Sequence, residues 1–293
     1  MKKGRISNVV LVVIFLAGLS LLLYPFVSDY YNSFHQSQAI TNYAENIAVM
    51  NESEYEELWR SAVVYNESLK GRNNVFALSE EEYREYKSLL DFLGTGIMGY
   101  IEIPVINCSL PVYHGTAESV LQIAVGHLEW TSLPTGGEGT HCVLSGHRGL
   151  PSAKLFSELD KMVLGDIFMI RVLNEVLTYE VDQILIVNPW EVDALQIVEG
   201  MDYCTLVTCT PYGVNSHRIL VRGHRIENIE EKVVRVTSDA IQIEPLIVAP
   251  VVASPILVLF SAYAQKQFKV ITKVSKTDNA MFKKFFFIIW CSL

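Results

Sequence analysis

From Ile6 to Ser28 the chain carries no charged residue, and the run Val9 to Val27 inside it meets the roughly 20-residue requirement of a bilayer. Such a segment has no place on the surface of a soluble domain, so whatever folds behind it folds beside a membrane. The apolar run exceeds a usual signal-peptide core and no Ala-x-Ala-like cleavage site follows it, which favours an uncleaved anchor. A second uncharged stretch, Pro245 to Gln265, is also expected to span, with a buried strand or loop as the alternative. Its three prolines, Pro245, Pro250 and Pro255, bend a helix but are tolerated in membrane spans. Phe285 to Trp290 is too short to cross and is assigned no role.

Charge is sorted around these segments. The middle, Asp29 to Glu244, holds 31 of the 32 acidic residues but only 14 of the 23 basic ones, whereas Lys2, Lys3 and Arg5 precede the first apolar stretch and six lysines follow the second. Basic flanks at both ends place both termini in the cytoplasm and the acidic middle outside. An acidic exterior domain excludes nucleic acid as a partner. Five cysteines, Cys108, Cys142, Cys204, Cys209 and Cys291, are an odd count without regular spacing, so they do not describe a disulfide framework.

Behind the anchor, Ile40, Tyr43, Ile47 and Met50, then Tyr55, Leu58, Trp59, Ala62 and Leu69, recur at helical spacing and predict two helices. Ser53 to Glu56 reads as a capping box for the second, and Ser79 to Glu82 opens a third that Gly94 closes. The Asn-Glu-Ser tripeptides at Asn51 and Asn66 match a glycosylation pattern by chance. From Gly99 the pattern turns to short β-rich runs at 100–106, 109–113, 140–144, 167–172, 177–187, 205–209 and 218–221, with helical inserts at 118–126 and 153–162. Seven or eight strands in about 125 residues predict a closed barrel or sandwich. The expected organisation is an anchor at 1–28, a helical arm at 29–95, a β domain at 96–230, a linker at 231–244, a second span at 245–265 and a basic tail at 266–293.

Chemistry concentrates in Thr205-Leu206-Val207-Thr208-Cys209, which a Pro-Gly loop joins to a strand beginning near Arg218. An antiparallel hairpin brings Cys209 and Arg218 to one sheet end, where the guanidinium favours the nucleophilic thiolate. His147 ends another short strand between Gly146 and Gly149, glycines that let a ligand approach closely, and is suited to protonate a leaving amine. Cysteine, histidine and arginine at strand ends are the parts of acyl transfer through a thioester, the arginine neutralising the oxyanion. Arg222, on the same strand face as Arg218, is its rival. His141 and Cys142 face opposite sides of their strand, which disfavours zinc with His147. Cys204 is read as core, and His114, His127, His217 and His224 as structural.

At these residues the chain resembles the sortases, extracytoplasmic cysteine transpeptidases of Gram-positive bacteria. The signature is Thr205 to Cys209, with His147 and Arg218 as the family's histidine and arginine. Met98 to Pro104, Pro111 to Gly115, Gly126 to Leu128 and Ser145 to Leu155 are similar to class C, the pilin polymerases. The resemblance implies a mainly β fold: an eight-stranded sortase-type barrel with an N-terminal helical arm and a transmembrane helix near each end. It also implies a two-pass membrane location, partners in membrane lipid and in pilin subunits carrying an LPXTG-like signal and an acceptor lysine, and no cofactor or metal. Cys209 would attack the Thr–Gly carbonyl and a pilin lysine would resolve the thioester. The alternatives are a sortase that anchors proteins to peptidoglycan and a non-enzymatic membrane-anchored scaffold. One departure stands out: class C lids carry an Asp-Pro-aromatic motif, whereas Gly71 to Leu78 has neither Asp nor Pro. The expectation is therefore an open Cys209, with the segment near Phe76 packed on the arm or poorly ordered.

Overall fold

The computed structural model describes residues 2–72 and 77–228. Phe76, the linker, the stretch Pro245 to Gln265, the basic tail and Cys291 lie outside the described residues. Four helices and eight strands are present among those described.

Helix α1 runs without interruption from Lys2 to Ala48, with Pro25 inside it. The separate first helix of the arm is thus a continuation of the apolar segment, because nothing between Ser28 and Ile40 supplies a glycine or proline to break it. The portion Val13–Ala48 is long and apolar enough to cross a membrane by length and composition. Its far end packs on the β domain: Tyr43 and Ile47 enter the core, and the Tyr43 hydroxyl donates to Met98 O at 2.9 Å and accepts from Leu173 N at 2.8 Å. Nearer the apolar run, Asp29 Oδ1 accepts Lys154 N at 2.8 Å, Asn32 donates to Ser152 O at 2.7 Å and Gln36 to Ile123 O at 2.7 Å.

Helix α2, Glu52–Leu69, is capped by Asn51, whose side chain accepts Glu54 N at 2.9 Å, and not by the box read at Ser53. Asn66 is buried, donating to Leu133 O and Thr135 Oγ1 and accepting Leu133 N. Both asparagines of the glycosylation pattern therefore have structural work. Helix α3, Glu80–Ser88, opens on the expected Ser79–Glu82 capping box but ends at Leu89, before Gly94.

The strands are β1 (Ile97–Ile103), β2 (Cys108–His114), β3 (Val125–His127), β4 (Thr140–Ser145), β5 (Ile167–Val172), β6 (Glu175–Val187), β7 (Asp202–Thr210) and β8 (His217–Ile226). They close in the order β1-β2-β3-β4-β7-β8-β6-β5. The β2–β3 and β4–β7 pairs are parallel, which requires crossovers, and the short helix α4, Glu118–Leu121, sits in the first of them. Strand β3 corrects the helical reading of 118–126: three residues are too few to show a period, and Gly126 in their middle hides it. The predicted helix at 153–162 reduces to turns and one 3₁₀ segment, Leu159–Lys161.

Alternation along β4, β7 and β8 sorts side chains to two faces. Cys142, Leu144, Cys204, Leu206, Ile219 and Val221 fill the barrel. Val143, Val207 and Leu220 point outward, where Leu195 and neighbours from the β6–β7 connection cover them together with Leu128 and Trp130. The site forms on this outer face.

Candidate active site

The β7–β8 ladder places Cys209 and Arg218 as direct partners, as the hairpin argument expects. Cys209 is half-buried and on the same face as Thr205 and Val207. The Arg218 Nη1 donates to Asn215 O at 3.1 Å and His217 O at 3.0 Å, folding the guanidinium over the β7–β8 loop. It has no carboxylate partner among the described residues.

His147 lies two residues beyond β4. Ser145 is in register with Val207, Gly146 N donates to Val207 O at 3.0 Å, and Thr208 Oγ1 donates to Gly146 O at 2.7 Å. These bonds carry the parallel register past the strand end and bring His147 level with Cys209. The second threonine of the motif thus fastens the histidine loop to the cysteine strand. His147 O then accepts Phe156 N at 3.1 Å, closing the loop from its other side.

The flanking glycines are also required by packing. A Cβ on Gly146 would sit 2.7 Å from the Phe156 ring, and one on Gly149, whose φ is +76°, would sit 3.2 Å from the Tyr212 ring. Arg148 binds the loop further: it pairs with Asp160, donates to Thr210 Oγ1 at 3.4 Å and stands 5.6 Å over Tyr212.

One polar neighbour of His147 has no sequence signature. Glu118, the first residue of α4, brings Oε2 within 3.4 Å of His147 Nε2. The contact is close enough for charge pairing, yet Nε2 makes no well-formed hydrogen bond. A single acidic residue in a four-residue helix is invisible until the crossover is folded.

The remaining candidates separate cleanly. Arg222 shares the face of Arg218 but pairs bidentately with Asp182, at 3.0 Å through both nitrogens, and lies 4.1 Å over the Tyr203 ring. It faces Thr205 in the ladder, four residues from Cys209. His141 points outward, with Nδ1 2.9 Å from Gln196 O and Nε2 2.7 Å from Thr205 Oγ1, while Cys142 is inside the barrel. Burial pushes the His141 pKa down to about 4, so the ring is neutral: Nδ1–H donates to the carbonyl and Nε2 accepts the hydroxyl. Cys204 is fully buried, and burial pushes the Cys108 thiol up to about 12. His114 and His127 are buried between backbone carbonyls and the Tyr86 hydroxyl. His217 contacts Ser216 Oγ at 2.9 Å.

A closed barrel that sets a half-buried thiol opposite an arginine, with a histidine loop tied to the same strand, is the scaffold of a cysteine acyltransferase. The sequence pattern of the sortase domain matches residues 101–226. Sortase C1 from Streptococcus agalactiae is 52% identical, covers 66% of this chain and 100% of its own, and superposes with a TM-score of 0.64. Sortase C from Streptococcus pneumoniae is 46% identical over 65% of this chain and 97% of its own, with a TM-score of 0.59. Sortase D from Bacillus subtilis is 29% identical over 131 residues, and the match spans 63% of its length and 44% of this chain. The chain belongs to the sortase family, whose members are cysteine transpeptidases, and the two streptococcal structures it resembles are class C sortases.

Proposed function

We propose that this chain is a membrane-anchored sortase that polymerises pilins, with Cys209 as nucleophile, His147 as acid and base, and Arg218 as oxyanion partner. The observation that carries the reading is the Cys209–Arg218 register with the His147 loop bonded to Thr208. Cys209 attacks the Thr–Gly carbonyl of an LPXTG-like signal, His147 protonates the departing glycine amine, and Arg218 balances the oxyanion. The ε-amino group of a lysine on the next subunit then resolves the thioester, and the product is an isopeptide bond. The similar pneumococcal enzyme is described in terms of pilin substrate specificity, which supports pilins as substrates here. The apolar part of α1 and the lysine-rich ends support an extracytoplasmic barrel, with Pro245 to Gln265 as a second span and both termini inside.

The test incubates the full chain in detergent with candidate pilins and maps crosslinks by mass spectrometry. A Thr–Lys isopeptide supports the reading. Release of a hydrolysed signal without any crosslink, or attachment to a peptidoglycan amine alone, contradicts pilin polymerisation.

A further inference from the structure

The reaction above uses a second substrate, and the site contains a group suited to receive it. Glu118 is 70% exposed at the side chain, whereas its neighbour His147 is 26% exposed, so the carboxylate forms the solvent side of the contact. Its Oε1 takes the Gln122 amide and its Oε2 faces His147. The Gln122 bond, and then the imidazole, hold its carboxyl below the usual range, so it is ionised at neutral pH. The arginines beside the catalytic histidine and cysteine differ: Arg148 is already paired with Asp160, and Arg218, among the described residues, is bound to backbone carbonyls. An incoming cation therefore meets the Arg218 guanidinium opposite Cys209 and an exposed carboxylate at Glu118.

The catalytic cycle sharpens this. In the proposed cycle His147 holds the proton that the departing amine will take, and until then Glu118 faces a cationic ring. Once His147 has given its proton to the departing amine it is neutral, and Glu118 loses its cationic partner while the thioester awaits a nucleophile. We infer that Glu118 is the binding group for the primary ammonium of the acceptor, recruited to the acyl-enzyme when His147 becomes neutral. This inference rests on the transpeptidase reading given above.

The step balances. The bound ammonium loses one proton to water and becomes the neutral amine. That amine attacks the thioester carbon, its second proton passes to His147 Nε2, the C–N bond forms and the C–S bond breaks. The amide, the Cys209 thiolate and the His147 imidazolium remain, which restores the starting enzyme.

Two nucleophiles separate recruitment of a cation from simple support of the imidazole. The full chain in detergent is acylated with an LPXTG-like peptide, then chased either with Nα-acetyl-lysine amide, a cation, or with hydroxylamine, which is uncharged at neutral pH. Glu118→Gln is expected to slow capture by the lysine amide about fivefold, the scale of an exposed ion pair, and to leave hydroxylamine capture unchanged. Glu118→Lys should widen the gap. Glu118 lies on an exposed single turn, so both variants should keep the melting temperature of the parent. An equal loss with both nucleophiles would make Glu118 only a positioning group for His147, and no loss with either would remove it from the reaction; both overturn the inference. Failure of the unsubstituted chain to form any acyl-enzyme is a distinct result, which would overturn the transpeptidase reading and this inference with it.

Discussion

Around the outer wall of the β7–β8 hairpin stand two sets of histidine, hydroxyl or thiol, and arginine; the β7 and β8 members are four residues apart, and the histidines, on and beyond β4, are six apart. In one, Thr205 faces Arg222 and His141 bonds Thr205 from β4; in the other, Cys209 faces Arg218 and His147 follows β4. The first set is saturated. His141 has a partner on each nitrogen and Arg222 is held by Asp182 and Tyr203. The second is less fully partnered: among the described residues His147 Nε2 faces Glu118 at 3.4 Å without a well-formed hydrogen bond, and Arg218 has no carboxylate partner. Residue types are similar in both, so what separates the two sets is how fully their polar atoms are already partnered.

The largest expected effect separates the two sets outright. Cys209→Ala should abolish acyl-enzyme and product, whereas Cys108→Ala and Cys204→Ala should leave the chemistry intact. Thr205→Val should keep acyl-enzyme formation while lowering stability by about 1 to 3 kcal/mol, since it strands His141 Nε2. Intact-mass measurement and thermal melting check the two halves. Next, His147→Ala and Arg218→Ala should each slow turnover at least about a hundredfold. Arg222→Ala should instead cost stability, by about 1 to 3 kcal/mol, through the Asp182 carboxylate it leaves unpaired. Steady-state rates decide, and a greater loss of turnover from Arg222→Ala would exchange the roles of the two arginines.

Much of this was legible in the sequence because it rests on local patterns. Strand β5 falls where alternation puts it, and the turn between Cys209 and Arg218 fixes their register through loop length alone. Long-range features were not legible. The short strand β3 and Glu118 belong to a crossover whose place depends on strands far away in sequence. The packing demand on Gly146 is equally hidden, because it comes from Phe156, ten residues on, whose ring a Cβ would strike. Likewise, alternation could put Arg222 and Arg218 on one face but could not show that Asp182, on β6, claims only one of them.

A pH dependence belongs to the saturated set. His141 is held to about 4 by burial, below its ordinary value near 6.5, so the unfolded chain binds a proton more readily than the folded one. Its contribution is complete above about pH 6.5 and is lost as pH falls toward 4, a change of roughly 3 kcal/mol at most. Melting temperatures between neutral and mildly acidic pH should therefore drop, and His141→Gln should flatten that part of the curve. The smallest effect concerns access. Because Gly71 to Leu78 lacks the Asp and Pro of an anchored lid, Phe76→Ala should leave the rate at which a bulky thiol reagent modifies Cys209 unchanged. A marked acceleration would identify Phe76 as a lid.

One covalent bond is decisive. Mixing the full chain with an LPXTG-like peptide, quenching in acid and mapping the adduct by mass spectrometry should give a thioester on Cys209, truncated after threonine and discharged by a lysine amine. An adduct on Cys108 or its persistence in Cys209→Ala would contradict the assignment of the less fully partnered set as the catalytic one.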